Sequence, residues 1–483
     1  MFILITSLLL VLTALTLLIL RITVPGFRYH WLFAVGGTLL AWISAFVWLS
    51  GLPESLELPI WQPAEIFTQS PTFVADQISW VFVISLITLC LAIVLTAVVR
   101  PQFPSPVNWA GTLVLTGLGV LAVSAGNPLT LVLIWAAIDL VELVVQLWFV
   151  EDPKLSERVV VSFASRVTGI MILLWADMVG AASGHISDFR GAAPQAGIFL
   201  LIAAGLRLGV LPLHLPYSSE SSQRRGFGTG LRMISAASSL ILLARIPAGS
   251  IHSPLTPYLL MLTSVAAIYG GWMWLRAPDE LTGRPFWLIG MGSLVVAAAL
   301  RSNPIAAAAW SCALILAGSA LFLFSEPNRW LTRALYVGAF GLSSLPFSLT
   351  AAGWVSGGTG FWLSFPFLLL SQAMLLAGYI RHSQRTTNRS SYQNQPIWGK
   401  NVFPIGIMVL LILTLLLGFI GWQGSLQLGN WFAAAIACLL AVGILWLTPR
   451  ARILNPVRAH WVRPNNASWL DWAYQGLWGL YRR

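Results

Sequence analysis

The sequence predicts an all-α polytopic membrane protein with about 14–15 transmembrane helices. Of its 483 residues, 57% are hydrophobic and 9% charged, whereas a soluble domain carries about 25% charged residues. A mean hydropathy of +0.80 agrees and excludes an ordinary water-soluble globule. The third observation is the spacing of the apolar runs. A helix needs about 20 apolar residues to cross roughly 30 Å of hydrocarbon. Fifteen runs meet this need: 2–20, 30–50, 77–99, 107–125, 128–150, 158–180, 193–216, 228–247, 255–275, 284–300, 303–324, 329–349, 361–381, 402–422 and 429–448.

The first run follows Met1-Phe2-Ile3 with no basic stretch before it and no small-residue cleavage site after it. It reads as a retained helix and not as a signal peptide. The loop 51–76 carries Glu54, Glu57, Glu65 and Asp76 without a single Lys or Arg, as an external cap should. The cysteines Cys90, Cys312 and Cys438 sit far apart in apolar runs, without metal-type spacing, and read as core packing.

Loop charge gives the orientation. Loops after odd-numbered spans, together with the C-terminal tail, hold 21 of the 27 Lys and Arg, including Arg21, Arg28, Lys154, Arg224, Arg225, Arg385 and Lys400. Loops after even-numbered spans, counted with the span ends that adjoin them, hold Arg190, Arg245 and Arg301, and Arg166, Arg207 and Arg232 fall deeper within spans. The positive-inside rule then places the N-terminus outside and the C-terminus in the cytoplasm, as for an integral protein of a bacterial inner membrane. The net charge of +11 is thus an orientation signal and no nucleic-acid footprint. The tail 449–483 is basic and then aromatic, with Trp469, Trp472, Trp478 and Tyr481. It reads as a helix lying in the inner interface, either a plain aromatic anchor or a partner-docking helix. The sequons at Asn388 and Asn466 fall on the cytoplasmic side and read as chance.

Ionisable groups within spans are costly and mark functional candidates. Span five holds Asp139, Glu142 and Gln146 on one helical stripe, one turn after Trp135. Glu142 and Arg166 lie at equal depth on spans five and six, which predicts an intramembrane pair, either a structural staple or part of a path. Arg207 of span seven lies close to the level of Asp139. Pro212 and Pro216 follow it, with His214 between them. Two prolines four residues apart remove backbone donors and break the helix, and broken helices at membrane depth line polar cavities. His214 reads equally as a proton relay or as a plain hydrogen-bonding residue. Arg232, near the inner end of span eight, is expected to snorkel to the surface. A row of polar groups on consecutive helices points to an ion or proton path. The sequence has no P-loop, dinucleotide fingerprint, metal cluster or nucleophile elbow. No cofactor or catalytic site is expected, and any redox chemistry or ATP hydrolysis would belong to another subunit.

These residues resemble the antiporter-like membrane subunits of respiratory complex I, Mrp-type Na⁺/H⁺ antiporters and membrane-bound hydrogenases, and the largest complex I antiporter-like subunit above all. Asn127-Pro-Leu-Thr-Leu-Val-Leu-Ile-Trp135 resembles the Asn-Leu-Leu…Trp run of the family's fifth helix. Phe163-Ala-Ser-Arg166-Val167 is similar to the Arg-Val pair of the sixth. Gly205-Leu-Arg207 with Pro212-Leu-His214 resembles the Gly-Lys…Pro-x-His of the broken seventh, and Leu345-Pro346 with Thr350-Ala-Ala-Gly-Trp354 the Leu-Pro…Thr-Ala-Gly-Phe of the twelfth. The resemblance covers roughly residues 70–360.

It implies two inverted five-helix repeats with broken helices, 107–247 (helices 4–8) and 255–381 (helices 9–13). They would be preceded by helices 1–3 with the external acidic loop in 1–106, and followed by helices 14–15 in 382–448 and the interfacial tail in 449–483. It further implies partner membrane and peripheral subunits of a respiratory-type complex within a lipid bilayer, and a part in proton or cation translocation. The departures are specific. The family's glutamate after the tryptophan of helix five is Ala136 here, with Asp139 one turn on as its replacement. The lysine of helix seven is Arg207, which does not release a proton as lysine can. The lysines of the second repeat align near Trp310 and Gly357. The second half-channel is therefore expected to be degenerate, with a non-pumping structural subunit as one alternative and a membrane subunit of an inorganic-carbon uptake or hydrogenase module as another.

Overall fold

The computed structural model describes residues 2–59, 70–99, 105–149, 153–183, 188–189, 193, 195–217, 225–247, 250–251, 253–325, 329–354, 362–385 and 397–447. The expected interfacial tail 449–483, Gly357 and the sequons at Asn388 and Asn466 lie outside the described residues.

In chain order the helices are α1 (Phe2–Thr23), α2 (His30–Val47), α3 (Gln77–Thr96), α4 (Pro106–Ser124), α5 (Pro128–Phe149), α6 (Pro153–Ala182), α7 (Gly197–Arg207), α8 (Phe227–Arg245), α9 (Thr256–Arg276), α10 (Glu280–Leu300), α11 (Pro304–Leu323), α12 (Arg329–Ala334), α13 (Tyr336–Gly341), α14 (Phe365–Ser383), α15 (Ile397–Ile420) and α16 (Leu428–Leu447). Twelve of them are long and apolar enough to cross a membrane. The remaining three expected spans correspond to α7, the pair α12–α13, and α14.

Local chemistry sets the helix starts. Asp76 caps α3, its carboxylate accepting from the Ser79 amide while Ser79 Oγ accepts from the Asp76 amide. Ser105 caps α4 ahead of Pro106, and Asn303 caps α11 ahead of Pro304. Asp279 caps α10 through the Thr282 amide at 2.7 Å. A short polar acceptor at the cap with proline at the first helical position satisfies one amide and removes the need to satisfy another.

The bundle is built around α3, α8, α10 and α11, which are buried on almost every face. Helix α3 packs against α2, α4, α8, α11 and α15. Close approach depends on small residues. A Cβ at Gly270 would lie 2.4 Å from the Gly290 nitrogen, so α9 and α10 touch backbone to backbone. The outer faces of α1, α2, α5, α6, α15 and α16 expose large apolar side chains such as Leu12, Leu40, Val144, Met171, Phe419 and Leu439, as lipid-facing helices do.

The loop 51–76, expected as an acidic cap, contains an antiparallel hairpin of β1 (Glu54–Glu57) and β2 (Thr72–Ala75), paired Glu54 to Ala75 through Glu57 to Thr72. Strands of four residues are too short to stand out from the apolar periodicity around them. The links after even-numbered spans gather at this hairpin. Phe73 bridges Ala125. Arg245 donates to the carbonyls of Ala125 and Val74 and lies 3.6 Å from Asp76. A cavity of about 260 Å³ among these links is lined by Val74, Asp76, Gly126, Phe189, Arg245 and Pro304, among others.

The links after spans seven, nine, eleven and thirteen meet at the opposite, basic end. Arg225 donates to the carbonyls of Phe322 (3.0 Å) and Phe324 (2.6 Å) and pairs with Glu280. The end of α14 covers the C-terminus of α9: His382 Nε2 donates to Trp274 O (3.0 Å), Arg381 to Leu275 O, and Arg385 to Ala277 O (2.7 Å). Side-chain donors there, two of them guanidinium groups, satisfy carbonyls that a helix end leaves unpaired. Burial, and then the neighbouring Arg381 charge, lower the Arg385 guanidinium to about 10, so it stays cationic at neutral pH. The two sides of the charge map are thus two physical ends of the bundle.

Candidate functional site

The polar stripe of α5 faces the interior. Asp139, Glu142 and Gln146 are all buried, and they meet three arginines delivered by α6, α7 and α8. Arg207 donates from Nη1 and Nη2 to the two oxygens of Asp139 at 2.6 and 2.8 Å, the bidentate geometry that a guanidinium fits best. Its Nε donates to Ser239 Oγ of α8 at 3.2 Å, and Nη1 also reaches Arg166 O at 3.3 Å. The guanidinium lies over the Trp135 ring, 4.2 Å from its centroid. Trp135 is itself fixed by donating from Nε1 to Ser238 O at 3.1 Å.

Glu142 sits between two guanidinium groups. Arg166 and Arg232 both pair with it, and Gln146 Nε2 donates to its Oε1 at 2.7 Å. The expected Glu142–Arg166 pair is therefore present. Arg166 also approaches Asp139 at 3.9 Å, which links the two acids into one cluster. Arg232 differs from the expectation of snorkelling. It is 2% exposed, turns inward onto Glu142, and lies over the Tyr217 ring at 4.0 Å. A buried carboxylate at reach outweighs the hydration that a partly extended arginine would gain at the surface.

The backbone shapes this site. Helix α7 ends at Arg207, ahead of Pro212. Gly209 takes φ +73°, a conformation favoured only by glycine, and its amide donates to Leu206 O. The break is therefore made at Gly209, and the prolines keep the chain from resuming the helix. The stem of Arg207 passes over Gly169 of α6, where a Cβ would lie 2.7 Å from Arg207 Cγ. Pro216 O accepts from Ser162 Oγ of α6 at 2.8 Å, tying the broken segment to the same helix that carries Arg166.

Of the expected site residues, Asp139, Glu142, Arg166 and Arg207 come together. His214 is not among their partners. Its Nδ1 donates to Pro212 O at 2.8 Å within the broken loop, and its Nε2 is buried with no hydrogen-bond partner among the described residues.

A second break lies at 342–354, after α13, where the motif Leu345-Pro346…Trp354 was noted. Two residues here were missed from sequence. Arg301, counted as a loop residue, is 4% exposed and donates from Nη2 to Gly353 O at 3.0 Å. Gln372 of α14 donates from Nε2 to Leu342 O (2.9 Å) and Ser344 Oγ (3.0 Å) and accepts from Trp354 Nε1 (2.8 Å). The positive φ of Ser344, +59°, was a turn signal that its residue type hides. Among the described residues no group of three or more metal-ligating side chains occurs.

The fold of this bundle is found in solved membrane-protein structures. No protein-family profile and no curated protein sequence matches the chain. Its fold matches a chain of the Mrp complex from Dietzia sp. DQ12-45-1b with a TM-score of 0.76 at 14% identity, over 100% of this chain and 60% of that one. It matches a chain of the membrane-bound sulfane sulfur reductase, an archaeal respiratory membrane complex, with a TM-score of 0.65 at 14% identity, over 93% and 85%. It also matches a chain of respiratory complex I from Thermus thermophilus with a TM-score of 0.63 at 17% identity, over 91% and 100%. The chain spans 60% of the length of the Mrp chain. At these identities the likeness is one of fold.

Proposed function

We propose that the chain is an antiporter-like membrane subunit of a complex I-like or related respiratory complex, and that it contributes to proton (or cation) translocation through its first five-helix unit, 107–247. The observation that carries this reading is the cluster of Asp139, Glu142, Arg166, Arg207 and Arg232 beside the break in α7. Charged groups in a span are expensive to bury and mark ion paths, and a broken helix supplies the polar backbone that such a path needs. Fold likeness to chains from three multi-subunit membrane complexes supports partner subunits. The segregation of basic residues to one end supports an N-terminus outside and a C-terminus in the cytoplasm of a bacterial inner membrane.

The second unit, 255–381, has only Asp279, Glu280 and Glu326 as acids, all in its basic-end links, which supports a degenerate second half-channel. A second reading, a non-pumping structural subunit, is favoured by one feature. Asp139 is held by two hydrogen bonds to an arginine, a residue that does not give up its proton. Affinity purification of the chain from native membranes tests the subunit assignment. Further membrane and peripheral proteins in fixed stoichiometry are expected, and a chain that purifies alone from mild detergent contradicts it.

A further inference from the structure

The second break is closed by side chains and not by an ionic cluster. Gly353 O accepts from both Arg301 Nη2 at 3.0 Å and Trp310 Nε1 at 3.3 Å. A Cβ at Gly353 would lie 2.6 Å from Trp310 Nε1, so the indole fills the space that only glycine leaves open. Trp354 packs edge-on against Trp310, with centroids 6.0 Å apart, and under the Arg301 guanidinium at 5.7 Å. The backbone polar groups of the break are joined in one circuit. Gln372 holds Leu342 O and Ser344 Oγ, the amide and hydroxyl of Ser344 donate to Thr350 Oγ1 at 3.0 and 3.1 Å, and Thr350 Oγ1 donates to Gly341 O at 3.0 Å. Arg301, Trp310, Trp354, Gln372 and Thr350 are all buried.

We infer that Arg301, Trp310, Trp354 and Gln372 form a plug that closes the second unit against protons and cations arriving from the hairpin end of the bundle. Two physical effects act together. The indoles occupy the volume that a water file would need, and the circuit satisfies the carbonyls of Gly341, Leu342 and Gly353 and the hydroxyls of Ser344 and Thr350, which would otherwise recruit water. Arg301 adds a fixed positive charge in a low-dielectric interior, which repels a proton or cation at the mouth, as an arginine does in pores that exclude cations. The plug thus accounts for how a broken helix persists at membrane depth in a unit with no acid there. This inference deepens the reading of a degenerate second half-channel, but its test measures passive leak and needs no turnover, so the two can fail separately.

The full-length chain, reconstituted in liposomes loaded with a pH-sensitive dye, is challenged with a potassium diffusion potential in the presence of valinomycin. Wild-type vesicles are expected to hold the gradient as protein-free vesicles do. Trp310→Ala, which opens the volume, and Arg301→Gln, which removes the charge, are each expected to raise the proton leak, and the two together about tenfold or more. Trp310→Phe, which keeps most of the bulk, stays tight. A leak in the folded double variant equal to that of wild type overturns the plug. Radiolytic footprinting of the wild-type protein gives an answer even where variants do not fold, because it marks side chains with water beside them. Trp310 and Trp354 are expected to remain unmodified, and modification of either to the extent seen at exposed Trp362 overturns the plug.

Discussion

Glu142→Gln is expected to be the most damaging single substitution in the chain. Glu142 is fully buried, pairs with Arg166 and Arg232, and accepts from Gln146 at 2.7 Å. Glutamine matches its shape and removes its charge, which leaves two guanidinium groups facing a neutral amide in the membrane interior. Removing one partner of a buried ion pair costs about 3–5 kcal/mol, a large share of the roughly 5–15 kcal/mol that holds a typical fold together. The expected result is a marked fall in the thermal midpoint in detergent and in the yield of monodisperse protein. The cause is specific enough to be reversed in part. Glu142→Gln combined with Arg232→Gln removes one of the stranded charges, so the double variant should be more stable than Glu142→Gln alone, a coupling that a double-mutant cycle reads directly. A Glu142→Gln midpoint within a degree or two of wild type contradicts the account.

The second large effect concerns Arg207. Arg207→Ala removes the bidentate bonds to Asp139, the bonds to Ser239 and the Arg166 carbonyl, and the stacking on Trp135. Among the described residues it leaves Asp139 with Arg166, at 3.9 Å, as its ion-pair partner. A loss of about 3–5 kcal/mol is expected again, and Asp139→Ala in the same chain should restore part of it by removing the stranded acid. Arg207→Lys separates charge from geometry. It keeps a cation opposite Asp139 but offers a point charge where the site is built for a fork, and a loss nearer about 1–3 kcal/mol is expected. Lysine can also release a proton where arginine cannot. Under the translocating reading, Arg207→Lys therefore retains flux while Arg207→Ala loses it. Thermal midpoints and dye-monitored flux on the same preparations check both statements. Equal stability of the lysine and alanine variants would show that charge at this position contributes nothing.

How much of this was legible from sequence depended on whether the chemistry left a periodic or a charged signal. The spans were legible because a bilayer demands long apolar runs. The Glu142–Arg166 pair was legible because both residues lie at the same depth on adjacent antiparallel helices. The same depth argument applies to Arg232, but proximity to a helix end made the surface the expected destination, and the buried carboxylate was the stronger attraction. Arg301 follows directly on the last residue of α10 and so counts as a loop residue by position, yet its guanidinium turns back to Gly353. Gln372 is uncharged and so does not stand out beside the ionisable residues of the spans, although a polar amide in a span needs partners as much as a charge does. The break in α7 was expected at the prolines and is made at Gly209, because a left-handed residue ends a helix before proline has to. The hairpin strands were too short to announce themselves. The inverted-repeat boundaries at 107–247 and 255–381 remain proposals.

Under the translocating reading, Asp139 at the heart of the first unit takes part in moving charge. This role is tested most directly by proton flux in proteoliposomes of the intact native complex carrying Asp139→Asn, measured per assembled complex against wild type. Asparagine keeps the size of the side chain and an acceptor oxygen for Arg207 but strands its charge, so some loss of stability is expected, and flux is scored only in complexes whose subunit composition matches wild type. The account predicts that flux falls to a small fraction of the wild-type value in correctly assembled complexes. Unchanged flux per complex would remove Asp139 from the mechanism and leave the cluster as a structural clamp.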